Sequence, residues 1–500
     1  AVPAFRPLLL AALLALSACA FRQTSASPSA PHPAILAIRS DLARVFDAPL
    51  MQRGVWAVDI VSMDTGEHLY SLNAGRWMIP ASNMKILTLA GAAETLGWDF
   101  RFRTSLEARG SIAGGVLQGD LIVRSNGDPT ISGRNDRASQ VFQEWIAALD
   151  AAGVTAIEGR IVGDDQLFDE DRLGAGWAWD DLQYRYAAPV GALEFNENSA
   201  SLEVLPGSSQ GAPVAVSLAP GSGLTLVNRA ITGPPGSEDI IEYRRLSDGP
   251  VLEVMGSVPA DAGLTRYFVA VVNPTVYFVR SLKDALAAAG VTVSGEAVDF
   301  DDVAAGLQAL PPGPARVLAS TESPPLREMA IVLMKVSQNL YAETLLKALG
   351  ASRGGLGTTA GGRREVRSVL SGWAVPEDAY AMSDGSGLSR YNYVTAAALT
   401  TILERLYRDP RHREAFLATL PIAGKDGTLA SRLKRTRADG NALAKTGSLA
   451  NVRALSGFVR TRDEEVLAFS ILANDYAIPA ATVEYIADVA VETLANFTRQ

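Results

Sequence analysis

The first regular pattern along the chain is a pair of short apolar runs. Val55 to Val61 is strand-like, Asp64-Thr65-Gly66 turns the chain, and His68 to Leu72 returns. Pro80-Ala81-Ser82 then opens a helix to about Leu96. Its apolar positions Ile86, Leu89, Ala90 and Ala93 recur at helical spacing, and Gly97 ends it. From Trp98 the texture changes to short β-like segments between Gly, Pro, Asn and Asp clusters, such as Gly119 to Val123 before Ser125-Asn126-Gly127-Asp128-Pro129. Helices are expected over Ala138 to Ala152 and Val276 to Ala289, and Pro311-Pro312-Gly313-Pro314 reads as a linker. Beyond it, Pro325 to Leu349 predicts one or two long helices, and Thr395 to Tyr407 another with Thr395 as its N-cap. Strands Val452 to Val459 and Glu465 to Leu472 flank the turn Thr461 to Glu464, and Pro479 to Phe497 closes the chain as a helix. The expected class is α/β (α+β): an antiparallel sheet flanked by helices, over residues 35–97 and 313–500, interrupted by a long mostly-β insertion over 98–312. No repeat of fixed period stands out.

A chain of 500 residues, 48% of them hydrophobic, can bury more than one core. The formal charge of −9 comes without a Lys/Arg-rich run or an aromatic–basic cluster, which argues against nucleic acid as a partner. There are three histidines, His32, His68 and His412, and one cysteine, Cys19. With no HExxH and no Cys/His cluster, no metal or other cofactor is expected. The scarcity of histidine also makes a Ser-His-Asp triad a poor candidate, so a hydrolase here needs another general base.

Arg6 followed by the apolar run Leu8 to Leu16 has the form of a signal peptide, too short for a membrane span. Leu16-Ser17-Ala18-Cys19 resembles a bacterial lipobox, which would put a lipid on Cys19. The alternative is cleavage after Ala18-Cys19-Ala20. Residues 1–19 are thus expected to be a signal peptide with its lipobox, and 20–34 a flexible tether. Either route exports the protein to the periplasm or cell envelope, and the lipidated form would be held at a membrane.

Three short motifs occur in order: Ser82-Asn83-Met84-Lys85, Ser337-Gln338-Asn339 and Lys445-Thr446-Gly447. Each is weak alone; Ser431 to Lys434 also fits S-x-x-K, and Ser71 to Asn73 fits S-x-N. Context separates them. Ser82 opens a helix, so Lys85 three residues on lies on the same face and can reach its hydroxyl. The helix N-terminus also offers unpaired amides and a favourable field for an oxyanion. A serine hydroxyl is a weak nucleophile that needs a base. Lysine serves as one only if burial or a second cation lowers its pKa, and Lys445 can be that cation. Gly207-Ser208-Ser209-Gln210-Gly211 fits G-x-S-x-G, but no helix follows it, so it reads as a loop.

Those motifs, with Gly127-Asp128-Pro129-Thr130, Ser337 to Glu343, Asp384 to Arg390, Ala423 to Leu429 and Lys445 to Ser448, resemble the class C low-molecular-mass penicillin-binding proteins, the D-Ala-D-Ala carboxypeptidase/endopeptidase family. The resemblance spans about residues 35–495. It implies a transpeptidase/β-lactamase-like fold with two small inserted domains, peptidoglycan peptides as substrate and β-lactam antibiotics as acylating ligands. It also implies roles. Ser82 attacks, Lys85 takes its proton, Ser337 relays a proton and Asn339 orients the peptide. Lys445, Thr446, Gly447 and Ser448 hold the terminal carboxylate, and the Ser82 and Ser448 amides form the oxyanion hole. Arg390 would bind a side-chain carboxylate of the substrate, and an acidic pocket residue in the insertion would be Asp164 or Asp165. Two rivals use the same fold. A β-lactamase needs a second base for deacylation, and Glu194-Phe195-Asn196 does not fit the E-x-x-L-N form of one. A non-catalytic scaffold would not need all five of Ser82, Lys85, Ser337, Asn339 and Lys445.

Overall fold

A computed structural model describes residues 32–246, 249–304 and 315–500. The expected signal peptide, Cys19, the tether as far as residue 31, and Pro311 to Pro314 lie outside the described residues. The helix Pro33–Phe46 starts within the expected tether. His32 caps the helix Pro33–Phe46 through its Nδ1, which accepts from the Ala34 amide. Ile35, Ile38, Leu42 and Phe46 form one buried stripe of that helix, facing the closing helix Ala480–Asn496.

Five antiparallel strands make the central sheet, in the order His68–Leu72, Val55–Ser62, Val466–Asn474, Val452–Arg460, Leu443–Leu449. Val466–Asn474 is buried at every position, because helices cover both faces. Its alternate side chains separate accordingly. Ala468 and Leu472 join the core beneath the helices Met84–Thr95 and Ala396–Arg408. Leu467, Phe469 and Ile471 join the core beneath Pro33–Phe46 and Ala480–Asn496. Thr395 caps Ala396–Arg408 by accepting from the Ala398 amide.

Leu443–Leu449 is an edge strand, and this positions the site. Its Ala444 amide turns away from the sheet and donates to Pro421 O at 3.0 Å. With a period of two, the Thr446 and Ser448 amides follow along the same open edge.

The inserted region has its own core. The hairpin Arg103–Ala113 and Val116–Ser125 centres a seven-stranded mixed sheet. Helices Arg137–Ala151 and Pro274–Ala288 pack against that sheet through Phe142, Trp145 and Phe278, with Phe195 from the intervening chain lying among them. Smaller sheets, built from strands between Ser199 and Ala270, complete it. The strand Arg316–Glu322 pairs with Arg103–Ala113, so the chain stays in this sheet to Glu322 and returns at Ser323, bonded to Phe102. Residues 207–211 lie in a loop.

Candidate active site

Ser82 sits in a 3-10 turn, Ala81–Asn83, that leads directly into Met84–Thr95. Its amide is therefore among the first of a helical segment, where backbone donors lack intrahelical partners. Ala81 holds a left-handed φ of 47°, and Gly387 packs against its carbonyl so closely that a Cβ at 387 would lie 1.8 Å from it. Only a glycine, itself at φ 86°, fits there.

Lys85 is fully buried, with Nζ 3.1 Å from Ser82 Oγ, 2.6 Å from Asn339 Oδ1 and 2.7 Å from Ser386 O. Burial brings its pKa down to about 7, against the opposing charges of Asp384 and Glu343. Near neutral pH a large share of the amine can thus accept a proton. Lys445 is also fully buried. Its Nζ donates to Ser337 Oγ at 2.8 Å and to Thr446 O at 2.8 Å. Burial, and then the charge of Lys85, holds it well below the ordinary lysine value. Each of the two lysines thus contacts one serine of the pair Ser82 and Ser337.

The segment Pro325 to Leu349, expected as one or two helices, is divided at the second motif. After Leu326–Ile331 the chain widens into a π-helical turn, Val332–Val336, and Ser337 adopts φ 63° before Asn339–Ala351 begins. A left-handed serine costs about 1–2 kcal/mol. The break turns Ser337 toward Lys445 and starts the next helix with Asn339, whose Nδ2 donates to Tyr186 O at 2.7 Å. Gln338 points away from the lysines and donates to Glu197 at 2.6 Å. Both partners belong to the insertion.

Ser82, Ser337, Asn339, Arg390, Thr446 and Ser448 line one cleft of about 520 Å³. Gly447 backs it, where a Cβ would come 2.6 Å from Pro80 O. Thr446 Oγ1 bonds Thr428 Oγ1 at 2.7 Å, and Arg390 donates to Ala450 O at 2.6 Å. The acidic wall is not where the sequence placed it. Asp164 is bound to Arg124, and Asp165 to Thr275 with Arg172 nearby; neither lines the cleft. Asp165 is pushed up to about 7 by burial and by Asp299. Asp180 and Asp181, on a 3-10 turn of the insertion, face the cleft instead, beside Tyr186. Among 54 acidic residues nothing local distinguishes those two, since their role comes from a tertiary placement.

No histidine lines the cleft. His68 pairs with the buried Asp59, and His412 lies between Glu94 and the Trp98 indole. Glu94, Asp409 and His412 are the one three-residue group among the described residues close enough to share a metal, but Arg411 already pairs with both carboxylates. With Trp98 donating to His412 Nδ1, the imidazole must present a proton at Nε2 to Glu94, which leaves no lone pair for a cation. Glu194 is buried against Thr344, and burial raises its pKa well above the usual value.

Residues 38–496 match the D-Ala-D-Ala carboxypeptidase 3 (S13) family. A D-alanyl-D-alanine carboxypeptidase of Actinomadura sp. (strain R39) is 35% identical over 455 residues, which cover 89% of this chain and 82% of that protein. The D-alanyl-D-alanine carboxypeptidase DacB of Haemophilus influenzae is 28% identical over 421 residues, covering 81% of this chain and 82% of its own. The crystal structure of penicillin binding protein 4 (dacB) from Haemophilus influenzae superposes with a TM-score of 0.78 at 25% identity, covering 92% of this chain and 99% of that one.

Proposed function

Because the chain belongs to the D-Ala-D-Ala carboxypeptidase 3 (S13) family, we propose that it works through an acyl-enzyme on Ser82. The protein is a serine-type D-alanyl-D-alanine carboxypeptidase of the penicillin-binding class, acting on peptidoglycan peptides in the cell envelope. The observation that carries the residue assignment is Lys85, buried, lowered toward neutrality and 3.1 Å from Ser82 Oγ.

In the proposed route, neutral Lys85 removes the Ser82 proton as Oγ attacks the carbonyl between two D-alanines. The oxyanion forms between the amides of Ser82 and Ser448, the first at the start of a helical segment and the second on the open edge of Leu443–Leu449. Ser337, bonded to Lys445 at 2.8 Å, relays to the leaving amine the proton that Lys85 took, so terminal D-alanine departs and Lys85 is neutral again. Water then enters, gives a proton back through Lys85, and releases Ser82 by hydrolysis of the ester. Asn339 orients the peptide beside the base. Lys445, Thr446 and Ser448 take the terminal carboxylate. Arg390 and the acidic pair Asp180 and Asp181 line the same cleft, suiting a substrate side chain that carries both a carboxylate and an amine. A β-lactam places its ring carbonyl in the same position and acylates Ser82.

We further propose that the lipobox-like Cys19 carries the anchor. Among the described residues no helix is long and apolar enough to cross a membrane. Metabolic labelling with a fatty-acid probe, lost in Cys19→Ala, is the outcome this assignment requires.

Intact mass after penicillin tests the nucleophile. A single stable adduct on the protein and none on Ser82→Ala is expected. Adduct formation on Ser82→Ala would remove Ser82 from the mechanism.

A further inference from the structure

A clamp stands behind the base without lining the cleft. Glu343 lies one turn after Asn339 on the same helix and is buried. Its carboxylate accepts from the Ser386 amide at 2.7 Å and from the Gly385 amide at 3.1 Å. The carbonyls of those two residues are held by the nucleophile helix: Gly385 O accepts from Thr88 Oγ1 at 2.7 Å, and Ser386 O from Lys85 Nζ at 2.7 Å. Lys85 and Thr88 are three apart, on one face of that helix. One carboxylate therefore holds, by their amides, the two residues whose carbonyls meet Thr88 and Lys85. Gly387, the next residue, is the glycine packed on Ala81.

Charge adds to position. The charged groups around Lys85 are Asp384, Glu343 and Lys445, and its direct partners Ser82, Asn339 and Ser386 are neutral. Asp384 is occupied by donors from Gly387, Ser389, Asn392 and Trp177. Burial and the neighbouring Asp384 push Glu343 up to about 7, the range in which Lys85 also titrates.

We propose that Glu343 is a positioning residue for the general base: it fixes the Ser386 carbonyl against Lys85, and its negative charge favours the ammonium form, which sets the lower pH limit of acylation. This rests on Lys85 being the base. Removing a negative neighbour makes the ammonium less favourable, so the lysine becomes a competent base at lower pH.

The test is the acylation rate of the full chain with a fluorescent penicillin across pH. Glu343→Gln keeps the shape and removes the charge. Its ascending limb is expected about one pH unit to the acid side, with a plateau about tenfold lower. Glu343→Asp restores the charge with a shorter reach, so its limb stays with the parent while its plateau falls. Thr88→Val loosens the same peptide groups with no change of charge, so its plateau falls on an unmoved limb. An unmoved limb in Glu343→Gln overturns the inference, and so does an undiminished plateau in Thr88→Val. If circular dichroism shows Glu343→Gln to be unfolded, the other two variants decide: a displaced limb in Glu343→Asp, or an unchanged plateau in Thr88→Val, rejects it. Failure of the underlying reading looks different, because Lys85→Met would then acylate with the parental pH profile.

Discussion

Single residues in this site are constrained more by their neighbours' backbones than by their own chemistry. Gly387 is the clearest case, since its missing Cβ leaves room for the carbonyl of Ala81, the residue before Ser82. Gly387→Ala should push the Ser82 turn away from Lys85 and cost about 100-fold in the rate of penicillin acylation. The left-handed φ of 86° adds about 1–2 kcal/mol of destabilisation, readable as a lower melting temperature. An acylation rate within twofold of the parent would mean that the turn tolerates movement. At this scale the sequence was informative where chemistry is local. Ser82 and Lys85 are joined by helical spacing, so their contact at 3.1 Å could be expected from a separation of three residues. Asp180 and Asp181 could not be found that way, because what makes them cleft residues is the packing of an inserted turn over a distant strand.

Elements matter here by where they stop. Apolar periodicity runs through Leu326 to Leu349 and promises helix, yet the working part is the interruption at Ser337. Nothing in Val332-Leu333-Met334-Lys335-Val336 marks a π turn, since each residue suits an ordinary helix; the widening ends at Ser337, whose hydroxyl meets Lys445. The loop Asp384 to Ser389 is a second such element, held by side chains from three directions. Trp177 supplies one of the donors to buried Asp384, at 2.9 Å. Trp177→Phe leaves that oxygen short of a partner and should cost about 1–3 kcal/mol in urea unfolding. Acylation should slow as well, because the same loop carries the Ser386 carbonyl. A variant as stable as the parent would show that the other three donors suffice.

Across the whole molecule, the insertion is a wall of the site and not an appendage. Asn339 leans on Tyr186, Gln338 on Glu197, Lys347 on Asp169 and Asp384 on Trp177, and all four supports come from the inserted chain. Its stability should therefore limit activity. Phe278, fully buried among Phe142, Trp145 and Phe195, is at the centre of the insertion's core. Phe278→Ala should destabilise it by about 3–5 kcal/mol. Penicillin acylation should then fail at the denaturant concentration where the insertion melts, below that of the sheet beside Ser82. Acylation that survives melting of the insertion would show that the serine and lysines hold their places unaided. The existence of this region was legible from texture, as a change at Trp98 from helix to short segments and turns. Its end was not, because Arg316 to Glu322 follows a Pro-rich stretch and shows its allegiance only by pairing with Arg103–Ala113.

The open edge of Leu443–Leu449 has a consequence for handling the protein. A strand left unpaired along one edge is a template for another molecule's strand. What keeps copies apart at neutral pH is mutual repulsion, from a formal charge of −9. That repulsion fades toward the isoelectric point of about 5.1, so mildly acidic storage removes the guard while the edge stays exposed. An antibiotic seated in the cleft would act as a preservative, by occupying the edge before a neighbour does.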